Sequence, residues 1–313
     1  MPSYNKGRYL ADAINSVINQ TYQNWELIIV DDVSNDNTLE ILNEFIEKDI
    51  RIKFYINSEN KGANFSRNFG INSAKGNFII FLDADDILFE DCLKNRLKKI
   101  EKSDLDFCVF TMQIFNKTIG DLKNTWHPNT KSPLINFLSH RLPWQTMQPI
   151  WKRSFLIDIN GFDEDFNRLQ DVELHTRVLL TNNVNFKLFN ALPDCFLRID
   201  DERKNFNSTD FLNKWIDSTE KFCNKFEKLV PPNYKKYLHG TIFRSYQQIL
   251  LYYKLNKITK DDFLLLGTKL FSVNVYRNAG KLKKLIYKVV CFYNLYFFRV
   301  PGINQFLYRL ILL

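Results

Sequence analysis

Two short apolar runs that end in carboxylates constrain this chain more than any other feature. Trp25-Glu26-Leu27-Ile28-Ile29-Val30 runs into Asp31-Asp32, and Asn77-Phe78-Ile79-Ile80-Phe81-Leu82 runs into Asp83-Ala84-Asp85-Asp86. Apolar runs of this length predict strands, and the second reads as buried on both faces. Helical patterns alternate with them. Gly7 to Tyr22 carries Leu10, Ala13, Ile14, Val17 and Ile18 at the spacing of one buried stripe. After Ser34, Asn35 and Asp36, residues suited to capping, Leu39, Leu42, Phe45 and Ile46 repeat that spacing. Ile52 to Ile56 predicts another strand, and Asn60-Lys61-Gly62-Ala63-Asn64 a turn into a helix bearing Arg67 and Asn68. Strands alternating with helices specify a parallel sheet whose ligands bind beyond the carboxyl ends of its strands, so both acidic ends are expected in one crevice.

The acids suggest chemistry. Side chains alternate along an extended chain, so Asp83 and Asp85 are expected on one side, where like charges are relieved by a cation. Mg2+ and Mn2+ take oxygen ligands and share them with phosphates. The alternative is that these aspartates open a turn and cap a helix starting near Leu88.

A length of 313 residues, 45% of them hydrophobic and 25% charged, allows one large domain or two modest ones. The net charge of +8 favours polyanionic partners such as phosphorylated ligands, anionic lipid or nucleic acid. The five cysteines are far apart and form no C-x-x-C pair, which argues against a disulfide framework or zinc site and for a reducing cytoplasm. His127, His140, His175 and His239 lack metal-ligand spacing and are expected to be structural or surface residues. No apolar run reaches the roughly 18 residues of a membrane-spanning helix. The absence of G-x-G-x-x-G argues against a dinucleotide-binding dehydrogenase.

The order of short motifs narrows the reading. Pro2-Ser3-Tyr4-Asn5, Asn19-Gln20-Thr21-Tyr22, Val30-Asp31-Asp32-Val33-Ser34, Asn60-Lys61-Gly62 with Arg67-Asn68-Gly70, and Phe81-Leu82-Asp83-Ala84-Asp85-Asp86 follow one another. Together they resemble the family 2 glycosyltransferases of GT-A fold, densely over about 90 residues and more thinly through Gly161-Phe162-Asp163-Glu164 and Gln170-Asp171 to about residue 200. The resemblance implies an α/β, GT-A type nucleotide-binding domain over 1–205 with a mostly parallel sheet, and leaves 206–313 as a helical region. It also implies an inverting transfer from a nucleotide-diphospho-sugar, UDP-linked, to a glycan or lipid-linked acceptor in bacterial surface polysaccharide synthesis.

By the same resemblance Asp32 reads the uracil imide of the donor, with a helix-capping turn as its alternative. Pro2 and Tyr4 belong to the donor side, Tyr4 as an aromatic platform for the base or a loop tyrosine covering the core. Arg67 suits a diphosphate because its planar fork pairs two oxygens at once; a solvated helix-face arginine is the alternative. Asp83 and Asp85 match the D-x-D motif, with Asp85 the more direct ligand of a Mn2+ or Mg2+ ion. Asp171 is the expected base, standing where the family usually has Glu-Asp and here has Gln170-Asp171; taken alone it reads as a helix N-cap. Trp144, in Leu142-Pro143-Trp144-Gln145, is an acceptor-side candidate for stacking on a sugar, with burial in the core as its alternative.

The family normally begins with an apolar strand before the Pro-x-Tyr-Asn element, whereas here Met1 immediately precedes Pro2. The expectation is a truncated or misassigned start. From about Ser208 the pattern is helical and aromatic-rich, and after Asp262 no acid occurs while Arg277, Lys281, Lys283, Lys284, Lys288, Arg299 and Arg309 do. Such a segment suits the interface of an anionic leaflet, which places the protein in the cytoplasm, peripheral on the inner face of the plasma membrane; a packed helical cap is the alternative. Basic charge held in the tail, away from a carboxylate crevice, argues against nucleic acid as partner. A catalytically inactive relative that only binds is the remaining rival.

Overall fold

The computed structural model describes residues 1–128, 130–199, 207–296 and 303–312. The expected domain boundary at 205/206 lies outside them, as do Arg299 and the terminal Leu313. In chain order the elements are β1 Pro2–Ser3, α1 Gly7–Ile18, β2 Leu27–Asp31, α2 Thr38–Lys48, β3 Ile52–Ile56, α3 Gly62–Ser73, β4 Phe78–Ile80, β5 Ile87–Leu88 and α4 Cys92–Ile100. Next come β6 Phe107–Val109, β7 Met112–Phe115, β8 Asn124–Trp126, α5 Pro133–Leu138, β9 Pro149–Lys152, α6 Arg153–Asp158, α7 Gln170–Leu180, β10 Phe186–Leu188 and β11 Cys195–Arg198. The helical end comprises α8 Ser208–Leu229, a 3-10 turn Pro232–Tyr237, α9 Leu238–Lys254, α10 Lys260–Leu270, α11 Asn274–Arg277, α12 Lys281–Tyr296 and α13 Ile303–Leu312.

These elements form two compact units. The first holds Met1–Lys131, Pro143–Asp165 and Thr181–Lys204; the second holds Ser132–Leu142, Phe166–Leu180 and Asn205–Leu313. In the first unit β1, β2 and β3 pair in parallel, with Ser3 opposite Asp31 and Leu27 opposite Ile52. The apolar stripe of α1 and the alternate residues of β2 meet in one cluster that includes Leu10, Ile14, Val17, Leu27, Ile29 and Leu42. Each such side chain contributes about 1.5–3 kcal/mol by leaving water, which fixes the sheet register. Two four-stranded mixed sheets, ordered β10-β6-β9-β4 and β5-β11-β7-β8, complete this unit.

The second acidic run departs from expectation. Its strand stops at Ile80 and pairs antiparallel with β9, and Phe78, Ile79 and Ile80 are half-buried rather than buried on both faces. β4 ends its sheet, and a cavity of about 600 Å³ opens beside it, lined by Met1, Leu27, Ile28, Phe78, Ile79 and Ile80 among others. β1 contributes only the two residues Pro2–Ser3 to its sheet. Pro2 is tolerated there because Met1 N and Val30 N supply the ladder bonds, at 2.8 and 2.9 Å to Ile28 O and Met1 O.

A buried ion pair ties α4 to the start of β11. Arg96 is fully buried and donates from Nε and Nη2 to the two carboxylate oxygens of Asp194 at 2.8 and 2.6 Å, and from Nη1 to Met147 O at 2.9 Å. Burial pushes the neighbouring Cys92 and Cys195 thiols far up, so neither offers a thiolate to a metal. Asp194→Ala is expected to cost about 3–5 kcal/mol, because it strands a desolvated guanidinium, while Arg96→Met combined with Asp194→Leu costs less than the single change. Urea unfolding of both variants checks this ordering.

The second unit buries the aromatic stripe anticipated in α8, with Phe222 and Phe226 fully inside. α8 is tied to α9 by Trp215 Nε1–H to Ser245 Oγ at 3.1 Å and by the Thr219 and Ser245 hydroxyls at 2.8 Å. No helix among the described residues is long and apolar enough to cross a membrane.

Candidate active site

The tip of β2 builds the first half of the site. Asp32 is buried, and its carboxylate accepts from Asn57 Nδ2 and Lys61 N at 2.7 Å on Oδ1 and from Gly62 N at 2.8 Å on Oδ2. It therefore caps the turn that opens α3, where Gly62 takes a φ of +85° that side chains resist. A carboxylate has about four acceptor positions, so roughly one remains for a further donor. Asp31 closes the opposite turn, accepting from Ser34 N at 2.9 Å and Ser34 Oγ at 2.6 Å. Val33 between them has φ of +65°, a strained value for a β-branched residue. Ser34 and Asn35 in turn grip Asn5, through Asn5 N–H to Ser34 Oγ and Asn35 N–H to Asn5 Oδ1, both at 2.8 Å. This clamp leaves Tyr4 47% exposed at the carboxyl end of β1, beside the tip that carries Asp32. Pro2 sits one step back in the strand, opposite Val30.

The second half is a turn. Asp86 N–H donates to Asp83 O at 3.0 Å, closing Asp83-Ala84-Asp85-Asp86, so the expected alternation of an extended chain does not apply. The Asp83 side chain is 43% exposed and the Asp85 side chain 4%. Arg67, one turn along the helix that Asp32 caps, donates from Nη2 to Asp83 Oδ1 at 2.8 Å, and its Cζ lies 5.2 Å from the Phe162 ring. Desolvation opposes the Asp83 charge, but the Arg67 guanidinium outweighs it and holds that carboxyl below its usual range. Asp86 goes the other way, pushed well up by burial and by the Asp83 charge. Arg67 is thus a nearly buried arginine in the site rather than a solvated one.

Two residues outside the recognised motifs complete this cluster. Lys6 forms an ion pair with Asp85 from the start of α1. Arg198, at the end of β11, gives its N–H to Asp86 Oδ1 at 2.9 Å, its Nε to Asp85 O at 3.0 Å and its Nη2 to Asp12 Oδ2 at 2.9 Å. Lys6 directly follows the Pro-x-Tyr-Asn element and carried that much signal; Arg198, 113 residues from Asp85, carried none.

Asp171 belongs to the second unit. It is half-buried in the first turn of α7, just after Leu169, whose φ is +60°. His175 Nδ1–H donates to Asp171 O at 2.7 Å. Two residues on, Glu173 is fully buried and takes Arg177 Nε and Lys225 Nζ at 2.7 and 2.8 Å. Trp144 corrects an expectation. It is fully buried in the first unit, with ring centroids 6.4 Å from Phe107 and 6.2 Å from Phe186, and offers no face to a sugar.

A sequence model described as Glycosyl transferase family 2 matches residues 1–164, and a curated relative from Escherichia coli is 34% identical over 190 residues, 59% of this chain and 70% of its own length. The chain belongs to glycosyl transferase family 2. That relative is named UDP-Glc:alpha-D-GlcNAc-diphosphoundecaprenol beta-1,3-glucosyltransferase WfgD. An uncharacterized glycosyltransferase from Haemophilus influenzae is 45% identical over 97 residues, 31% of this chain and 39% of that protein, so the match spans less than half its length. Among solved structures, Staphylococcus aureus TarS 1-349 in complex with UDP-GlcNAc superposes with a TM-score of 0.55 at 17% identity, covering 85% of this chain and 89% of that one. The first unit of this family 2 member accordingly has the GT-A fold, with the parallel β1-β2-β3 sheet and its crossover helices carrying the Asp32 tip.

Proposed function

We propose that this protein is an inverting glycosyltransferase that moves a sugar from a UDP-sugar to a glycan or lipid-linked acceptor during bacterial surface polysaccharide synthesis. One observation carries the reading: Asp32 and the Asp83–Asp86 turn are joined by a single helix, with Asp32 at its N-terminus and Arg67 one turn later on Asp83. A helix N-terminus and an arginine fork beside carboxylates form a cradle for a diphosphate carrying a base and a sugar. The UDP-sugar named for WfgD and the UDP-GlcNAc bound to TarS support the donor class.

Within this cradle Asp32 accepts the uracil imide N–H at its remaining acceptor position, Tyr4 lies against the base, and Arg67 spans two diphosphate oxygens. The donor set suits a hard divalent cation. Asp83 and Asp85 supply only carboxylate oxygens, and an ammonium already rests on Asp85 where a metal cation would replace it. No group of three or more His, Cys, Asp or Glu forms a complete metal cage among the described residues, so Asp83 and Asp85 would hold the ion only together with ligands from outside the chain. Held by Asp83 and Asp85, Mg2+ or Mn2+ would supply positive charge to offset the negative charge gathering on the departing UDP. Asp171 takes the proton of the acceptor hydroxyl as its oxygen bonds to the anomeric carbon and the bond from that carbon to the diphosphate oxygen breaks on the opposite face.

The outer face of α12 supports contact with the inner leaflet. Leu282, Leu285, Val289, Phe292 and Tyr296 are exposed at alternating spacings of three and four, and Lys281, Lys284 and Lys288 follow one flank. The function is tested by screening UDP- and GDP-sugars for nucleotide release with lipid-linked and free glycan acceptors. Release from a UDP-sugar that depends on an acceptor supports the reading; release from no donor, or from GDP-sugars alone, overturns it.

A further inference from the structure

The second unit contains a small basic pocket unrelated to the donor cradle. Its cavity of about 230 Å³ is lined by Arg141, Phe243, Arg244, Gln247, Gln305 and Tyr308. Two guanidinium groups and two carboxamides therefore meet around one space. The Tyr308 ring orients both cations, with Arg141 Cζ 3.5 Å and Arg244 Cζ 5.8 Å from its centroid. The ring itself is held deep, because α9 has a glycine beneath it: a Cβ on Gly240 would stand 2.7 Å from Tyr308 Oη.

Among the described residues no carboxylate pairs with Arg141 or Arg244. Arg141 Nε is buried without a hydrogen-bond partner, and Arg244 reaches only Gln247 Oε1 at 3.5 Å. Arg244 is exposed, yet partial desolvation by its neighbours and then the Arg141 charge depress its pKa, the direction expected where two cations face each other. A buried unpaired donor costs about 1–3 kcal/mol, and a bound anion removes that cost together with the repulsion.

We propose that this pocket binds a phosphate-class oxyanion, held by the forks of Arg141 and Arg244 and by the amides of Gln247 and Gln305. A tetrahedral oxyanion fits because its several oxygens accept from both planar forks at once, whereas a single carboxylate satisfies only one. The same chemistry is offered by inorganic phosphate and by the phosphodiester of a lipid headgroup.

Two measurements on the full chain test the site. Inorganic phosphate is titrated into the wild type and Arg244→Gln by calorimetry, and both are titrated with vesicles of phosphatidylglycerol in phosphatidylcholine. Arg244 is an exposed residue of α9, so its replacement is expected to leave the fold intact, which circular dichroism verifies. A tenfold or greater weakening of phosphate binding supports a free oxyanion as occupant; the same weakening confined to vesicles supports a lipid phosphodiester. Arg244→Lys, which keeps the charge but loses the fork, is expected to fall between. If Arg244→Gln binds both probes as the wild type does, or the wild type binds neither, the proposal fails.

Discussion

Asp171→Asn is expected to slow glycosyl transfer by about 10²–10⁴-fold while donor affinity stays near the wild-type value. Asparagine has almost the shape of aspartate and keeps a side-chain oxygen able to accept from Val172 N–H, as Oδ1 does at 2.9 Å. What it loses is the ability to take a proton. The structural loss is small, since one negative charge in the first turn of a helix contributes about 0.3–1 kcal/mol. Calorimetric donor titration paired with single-turnover transfer separates the two effects. If donor affinity falls in step with the rate, Asp171 acts in donor binding and the proton falls to another group.

Acid is expected to unfold the helical unit before ordinary carboxylates titrate. His140, His175 and His239 are all buried there, and burial depresses their pKa values to about 4, about 3 and about 4, with Arg244 adding to the effect at His140 and Lys283 at His239. Each is packed as a neutral ring: His175 stacks on Phe137 with centroids 5.0 Å apart, and His140 on Trp215 at 5.1 Å. Below the ordinary value of about 6.5 the unfolded chain gains protons that the folded unit does not, so stability is complete above that pH and declines as pH falls toward 4. One unit of separation is about 1.4 kcal/mol, so at pH 5 each histidine contributes a loss on the order of 2 kcal/mol. Asp86, raised by burial, acts with the opposite sign in the other unit. Urea unfolding followed by helix signal at pH 7 and pH 5 measures the slope, and His175→Gln is expected to flatten it. Equal stability at both pH values, or a slope indifferent to His175→Gln, contradicts the account.

The elements legible in the sequence were those whose pattern is local. The stripe of α1 and the β2 and β3 runs each specify themselves over a few residues, and the helices after Ser208 do likewise, whereas of Ser34, Asn35 and Asp36 only Asp36 bonds the start of α2, at Thr38 N. The Asp83–Asp86 turn was legible only as the alternative to an extended acidic end, because an apolar run continuing through Phe81-Leu82 gives no sign that pairing stops at Ile80. Long-range partners were also hidden. Lys6 meets Asp85 across 79 positions, and no spacing rule reaches that far. Trp144 illustrates a third limit: an aromatic in a Pro-bounded segment has the same composition whether it lines a cleft or, as here, packs between Phe107 and Phe186. The grouping of 132–142 and 166–180 with the C-terminal helices follows from packing across gaps in sequence, such as Thr241 Oγ1 donating to Leu138 O at 2.7 Å.

The proposed function rests on the acidic turn holding a divalent cation, which would in turn hold the donor diphosphate. The direct measurement is the Kd of UDP with and without Mn2+ for the wild type and Asp85→Asn. The account predicts that Mn2+ tightens UDP binding at least tenfold in the wild type, and that this enhancement disappears in Asp85→Asn. UDP binding that is indifferent to Mn2+, or an enhancement of equal size in both proteins, contradicts it.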